Sequence, residues 1–109
     1  MTHQPDSALL TTSITTTVDD IHVCTIRGEI DIRTAPMFRK AVFDSLSIGG
    51  TTVIDMTAVT FFGVAGICAM IEALDFAHRR QCELCVEGAH CVTRILEVVG
   101  LAEAFDICE

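Results

Sequence analysis

Strand-like segments alternate with helix-like segments along most of this 109-residue chain, and this alternation limits its fold more than any other feature. Two strand-like segments come first, and three helical segments follow, each leading into another strand-like segment. A β-β-α-β-α-β-α-β order places successive strands side by side and connects them through helices that cover the sheet. The sequence therefore predicts a single α/β domain with a mixed sheet of about five strands and helices packed mainly on one side.

The strand predictions depend on periodicity and on breaker residues. Residues 10–18 alternate apolar with small polar side chains, many of them β-branched, which is typical of a half-buried edge strand. The short apolar run at 52–56 is typical of a strand inside a sheet. Gly28 is expected to end the second strand. The predicted strands are residues 10–18, 21–27, 52–56, 82–87 and 104–108.

Three helices are predicted from capping residues and helical spacing. Thr34 is expected to cap the first helix, which ends before Gly49 and Gly50, and the other two cover 63–80 and 91–99. In the second helix a polar stripe is formed by Glu72, Asp75 and Arg79, opposite an apolar side formed by Ile67, Met70, Ile71, Leu74 and Ala77. The polar stripe continues back through Cys68, which is therefore the cysteine expected to be most exposed.

Composition indicates one domain and excludes some partners. Half of the residues are hydrophobic, which is enough for one continuous core. Residues 1–8 are polar and are predicted to be a disordered lead-in, so that the domain covers 9–109. The formal net charge of −8 disfavours nucleic acid and anionic membranes as partners and favours a basic protein surface.

With no apolar stretch of about 18–20 residues, membrane insertion is not expected. Because no signal peptide is recognised either, a cytoplasmic location is expected.

Three segments carry a resemblance to a known family. Residues 28–35 contain Gly-Glu-Ile-Asp followed by Thr-Ala, residues 53–66 join an apolar strand to a glycine at a helix start, and residues 93–101 end in Gly-Leu. In this order and at these spacings they resemble the STAS domain of bacterial anti-sigma-factor antagonists. The resemblance implies a non-enzymatic binding module that regulates sigma-factor-dependent transcription. Its implied partner is an anti-sigma factor of the histidine-kinase-like ATPase type.

The family's phosphorylation switch is missing from this sequence. The family usually has Asp-Ser-Ser-Gly before the second helix, and its partner kinase phosphorylates the second serine. The matching residues here are Gly63-Val64-Ala65-Gly66, so Ala65 occupies the lost phosphosite position. Neither Val64 nor Ala65 can accept a phosphate. The expectation is an antagonist without a phosphate brake; the alternatives are an assembly subunit of a scaffold or ABC-transporter complex, or simple local packing of these two residues.

By resemblance, the partner-binding surface comprises two short segments. Its predicted residues are Asp31, Arg33, Thr34, Phe62, Gly63, Val64, Ala65 and Gly66. A displaced phosphosite at Thr57 or Thr60 stays open, although Thr60 lies where the family keeps a buried position. Self-association as a homodimer is also left open by the sequence.

The cysteines and the missing motifs complete the predictions. Most of the six cysteines are interpreted as small buried hydrophobic residues, while Cys68 and Cys108 are candidate redox thiols for a thiol-regulated variant. Cys82 and Cys85 have the spacing of half a zinc site, but side chains three apart on a strand diverge, so no metal is expected. Because no nucleophile, phosphate-loop or dinucleotide motif is present, neither a cofactor nor an enzymatic activity is expected.

Overall fold

A computed structural model describes residues 10–100 and the backbone of residues 106–108. Five strands form one sheet in the order β1-β2-β3-β4-β5. β1 runs antiparallel to β2, and the remaining neighbours are parallel. The strands are β1 (Leu10–Thr16), β2 (Ile21–Ile30), β3 (Thr51–Phe62), β4 (Glu83–Gly88) and β5 (Asp106–Cys108).

The three helices connect successive parallel strands. They are α1 (Ala35–Ile48), α2 (Val64–Arg80) and α3 (His90–Val98). Each connection moves one strand further in the same direction across the sheet, and right-handed crossovers of this kind place all the helices on one face. The predicted α/β domain, with a mixed sheet of about five strands and helices on one side, is confirmed.

The hydrophobic core lies between that face and the helices. Alternate residues of each central strand are buried there, and apolar residues of α1, α2 and α3 pack against them. Each large side chain removed from water contributes roughly 1.5–3 kcal/mol relative to an exposed one. The buried strand residues include His22, Cys24, Ile26, Thr52, Ile54, Met56, Leu84 and Val86, and the helical ones include Phe38, Val42, Leu46, Met70, Ala73, Val92 and Leu96.

Two strands are longer than predicted. β2 continues past Gly28 to Ile30, so the expectation that Gly28 ends this strand is wrong. The register between β2 and β3 shifts near Thr25 and again after Gly28, which has a φ of 114°. These irregularities allow the strand to bend and continue instead of stopping. β3 likewise continues past Met56 to Phe62, because pairing with β2 keeps these residues extended.

The helix predictions are close to the structure. α1 lies between Thr34 and Gly49, but Thr34 makes no side-chain capping hydrogen bond. The predicted polar stripe of α2 is exposed, including Cys68. Ile71 is exposed too, so its prediction as part of the apolar side is wrong; Ala73 is buried on that side. No helix in residues 10–100 is long and apolar enough to cross a membrane. The predicted disordered lead-in at 1–8 and residues 104–105 of the last predicted strand lie outside the described residues.

Candidate partner-binding surface

Two segments far apart in sequence meet where β2 and β3 end. Ile30 and Phe62 are paired in the sheet, and the Gly63 N–H donates a hydrogen bond to the Ile30 carbonyl at 2.9 Å. The turn after β2 (residues 31–34) therefore lies beside the start of α2. Loops at the carboxyl ends of parallel strands are the usual location of functional sites in α/β proteins.

Hydrogen bonds hold the turn after β2 in one conformation. Asp31 Oδ1 accepts from the N–H groups of Arg33 at 2.9 Å and Thr34 at 3.1 Å. The buried Thr34 hydroxyl accepts from the Asp31 N–H at 2.9 Å and donates to the Glu29 carbonyl at 2.7 Å. These bonds fix the turn, in which the Ile32 side chain is left 82% exposed.

Asp31 carries its negative charge at the edge of this turn. Desolvation, the largest single influence, raises the pKa of this carboxyl group, but the N–H donors of Thr34 and Arg33 together with the Arg33 charge outweigh it. The net effect is a pKa below the usual aspartate value. One guanidinium nitrogen of Arg33 lies 3.5 Å from Asp31 Oδ2. The turn thus presents an ionised carboxylate next to an exposed aliphatic side chain.

Exposed apolar side chains from both segments form a continuous patch. Phe61 is 52% exposed and Val64 is 74% exposed, and both line a shallow depression of about 420 Å³ together with Ile32. Asp31, Gly63 and Ala65 also line it. We call Ile32, Phe61, Gly63, Val64 and Ala65 the apolar loop surface. Contiguous exposed apolar side chains of this kind are characteristic of protein–protein contact sites.

The residues beneath this surface are tightly packed. Phe62 is buried, and its ring meets Phe38 edge to face with centroids 6.4 Å apart. A Cβ atom added to Gly66 would lie 2.6 Å from the Phe62 ring and 2.8 Å from Ile30 Cγ2. A glycine is therefore required for α2 to begin this close to the sheet, which positions Val64 and Ala65.

The structure brings all eight predicted partner-binding residues to one end of the sheet, but it gives them two roles. Thr34, Phe62 and Gly66 are buried, so these three residues support the loops and are not available for contact. Contact through the other five stays a prediction. They are Asp31, Arg33, Gly63, Val64 and Ala65.

Sequence reasoning missed Ile32 and Phe61, the two exposed side chains that flank Val64. A signal was present for Phe61, because adjacent residues on a strand point to opposite faces and only one phenylalanine of the pair could be buried. For Ile32, the available signal was an aliphatic residue between Asp31 and Arg33, in the segment between the second predicted strand and the first predicted helix.

The start of α2 has no group that could accept phosphate. Gly63 occupies the N-cap position, no side chain caps the helix, and its first turn contains no acidic residue. Thr57 and Thr60 are exposed on β3, so the expected burial of Thr60 is wrong. The Thr57 hydroxyl donates to Asp55 Oδ1 at 2.7 Å. A displaced phosphosite at either threonine stays a prediction.

The cysteines differ in environment. Cys24 is buried in the core, Cys68 is exposed on α2, and both are free thiols. Cys85 is disulfide-bonded, and the side chain of Cys108 lies outside the described residues. Among residues 10–100, no three histidine, cysteine or carboxylate side chains are grouped as metal ligands.

Cys68 borders a groove that is continuous with the apolar loop surface. This groove of about 500 Å³ separates α1 from α2, and it shares Ile32 and Ala65 with the depression above. An ion pair between Arg39 and Glu72 bridges the two helices along it. A modification of Cys68 would therefore occur next to the predicted contact surface.

The chain is a small α/β domain with a mixed sheet and crossover helices on one face of it. The loops at the ends of two parallel strands carry the apolar loop surface. The model of the family described as the STAS domain matches residues 13–109. The chain therefore belongs to the STAS domain family.

Solved structures of anti-sigma factor antagonists have this fold. The antagonist from Mycobacterium paratuberculosis is 26% identical, with a TM-score of 0.77 over 95% of this chain and 87% of that one. The anti-sigma factor antagonist SpoIIAA superposes in its unphosphorylated form at 13% identity and TM-score 0.69 (91% of this chain, 89% of that one). The Bacillus cell fate determinant SpoIIAA in its phosphorylated form superposes at 12% identity and TM-score 0.65 (91% and 92%). No curated protein is similar enough to be matched to this chain.

Proposed function

We infer that this domain is an anti-sigma-factor antagonist that docks an anti-sigma factor through the apolar loop surface without a serine phosphorylation switch. The observation that carries the proposal is the start of α2, where exposed Val64 and half-buried Ala65 stand in place of the family's two serines. The fold and the neighbouring anti-sigma factor antagonists support a binding role.

The physical argument concerns what a phosphate would do at this position. A phosphate on a helix N-terminus is stabilised by free N–H groups and by the helix dipole, and it would change the charge of the docking surface. Val64 and Ala65 have no hydroxyl oxygen to carry one. The surface therefore keeps a single apolar state, and binding depends on the concentrations of the two proteins rather than on a kinase.

Charge suggests what the partner must present. Asp31 is ionised at the edge of the apolar loop surface, Glu29 is exposed nearby, and the whole chain has a net charge of −8. A partner that brings apolar side chains surrounded by lysine or arginine would complement this region, and the attraction would accelerate association. The partner class that the family resemblance implies is an anti-sigma factor of the histidine-kinase-like ATPase type.

The test is a binding titration against ATPase-type anti-sigma factors of the same organism, by isothermal calorimetry. Ala65→Asp and Val64→Asp each place a carboxylate in the apolar loop surface, and each should weaken binding at least tenfold, or about 1.4 kcal/mol. Val98→Asp is the matched control, because Val98 is also 74% exposed but lies at the end of α3. Equal affinities for all three variants would remove this surface from the interface.

Native mass spectrometry of the mixture with Mg-ATP separates the remaining alternatives. A complex that persists without phosphate transfer is the expected result. Phosphate on Thr57 or Thr60 would show that the switch has moved. The absence of a complex with every anti-sigma factor would favour the assembly-subunit alternative.

A further inference from the structure

The first strand leaves one side of the sheet open. β1 is an edge strand of the sheet, and the described residues place no strand on its outer side. It pairs with β2 through seven consecutive residue pairs, from Leu10 with Gly28 to Thr16 with His22, without a register shift. Its outer edge therefore presents a regular row of backbone N–H and C=O groups, which is the chemistry that another β-strand recognises.

This edge lacks the features that usually prevent strand pairing. Exposed edges are commonly protected by charged side chains, proline, bulges or very short length. Residues 10–16 contain no charged residue and no proline, and the strand contains no bulge. By contrast, the pairing of β2 with β3 is interrupted at two places. β1 is the regular and neutral element of a chain whose net charge is −8.

A groove runs beside the open edge. It has a volume of about 290 Å³ and lies between β1 and α1, with Thr12, Ser13 and Ile14 on the strand side. Met37 and Ala41 line the helix side. Ile14 and Met37 are both exposed large apolar side chains. An added strand would cover these side chains while it satisfied the backbone groups of the edge.

The charges beside the groove favour a second copy of this chain as the occupant. Lys40 and Asp44 lie one turn apart on α1, where they form an exposed ion pair at 2.8 Å. A two-fold axis perpendicular to the sheet would reverse the direction of α1 in the second copy. Lys40 of each chain would then approach Asp44 of the other, so this stripe is complementary to itself.

We propose that β1 pairs antiparallel with β1 of a second copy, so that two five-stranded sheets become one continuous sheet with both helical layers on the same face. This homodimer leaves the apolar loop surface free and does not depend on the proposed function. A seven-residue strand spans only about 23 Å, so the interface is small and the dissociation constant should be on the order of 10 µM or weaker.

Sedimentation equilibrium of the full chain over a wide concentration range tests the proposal. A monomer–dimer equilibrium is expected for the unaltered chain. Ile14→Lys would place two lysines at the seam and should raise the dissociation constant at least tenfold. Val18→Lys is the matched control, because it adds the same charge at a fully exposed residue beyond the strand and should change nothing. A strictly monomeric chain, or equal effects of the two variants, would overturn the proposal.

Two further measurements identify the contact itself. Hydrogen exchange of residues 10–16 should slow as the protein concentration rises, whereas protection that is independent of concentration would refute self-pairing. Lys40→Asp alone and Asp44→Lys alone should each weaken the dimer, because each places like charges across the axis. The double variant exchanges the two charges and should restore dimerisation. Failure of this restoration would exclude the proposed antiparallel arrangement of α1.

Discussion

Replacing Gly66 with alanine should destabilise the domain, even though alanine is the better helix former. The added Cβ would come within 3.0 Å of Phe62 and Ile30, both buried. Neither side chain can move away easily, since the Phe62 ring packs against Phe38 and Ile30 is branched at Cβ. Overpacking costs about 1–3 kcal/mol, and contacts below 3.0 Å with two buried side chains place this substitution at about 2–3 kcal/mol, of which alanine recovers about 1 kcal/mol through helix propensity.

The expected net loss is about 1–2 kcal/mol in the free energy of unfolding, which corresponds to a melting temperature lower by roughly 5–10 °C. Urea denaturation followed by circular dichroism at the helical band is the appropriate assay, because the chain has no Trp or Tyr for fluorescence. A stability equal to or above that of the unaltered protein would contradict the close packing of α2 on the sheet.

A double-mutant cycle with Phe62→Leu tests the cause. Phe62→Leu alone should cost about 1–2 kcal/mol through the cavity that it leaves. In the double variant the alanine methyl group can occupy part of that cavity, so the combined loss should be smaller than the sum by about 1 kcal/mol. Strict additivity would mean that Gly66→Ala acts through something other than the Phe62 ring.

Two further results are expected. The pKa of Asp31 is lower in the folded protein than its ordinary value of 3.8, so its ionised form stabilises the fold above that pH, and this contribution is lost as the pH falls through the folded pKa. Asp31→Asn should therefore flatten the acid side of the stability–pH curve below about pH 4, measured by urea denaturation at each pH; an unchanged slope would contradict the bonds from Thr34 and Arg33. Burial raises the pKa of the Cys24 thiol, so a maleimide should label exposed Cys68 quickly in the native protein and Cys24 only on unfolding. Equal labelling rates, measured by peptide mass spectrometry, would show that the core opens more readily than its packing indicates.

The order of strands and helices could be predicted from the sequence because it depends on local periodicity. Alternation along residues 10–18 predicted the edge strand β1, and helical spacing placed Cys68 on the exposed side of α2. The missing serine was also evident, since residue identity alone determines whether Val64 or Ala65 can carry phosphate. These conclusions require no knowledge of which segments meet in space.

The candidate surface itself was decided by tertiary contacts. Thr34 looked like a helix cap, but its hydroxyl oxygen accepts from the Asp31 N–H at 2.9 Å instead of from an N–H of the helix, and the hydroxyl donates to the Glu29 carbonyl at 2.7 Å. Ile32 is exposed in a turn that the hydrogen bonds of Asp31 and Thr34 hold in place, and Phe61 flanks Val64 only because β3 pairs with β2 to its last residue. Sequence patterns encode which face of one element is apolar. The meeting of loops about thirty residues apart depends on strand register, which pairing across the whole sheet determines.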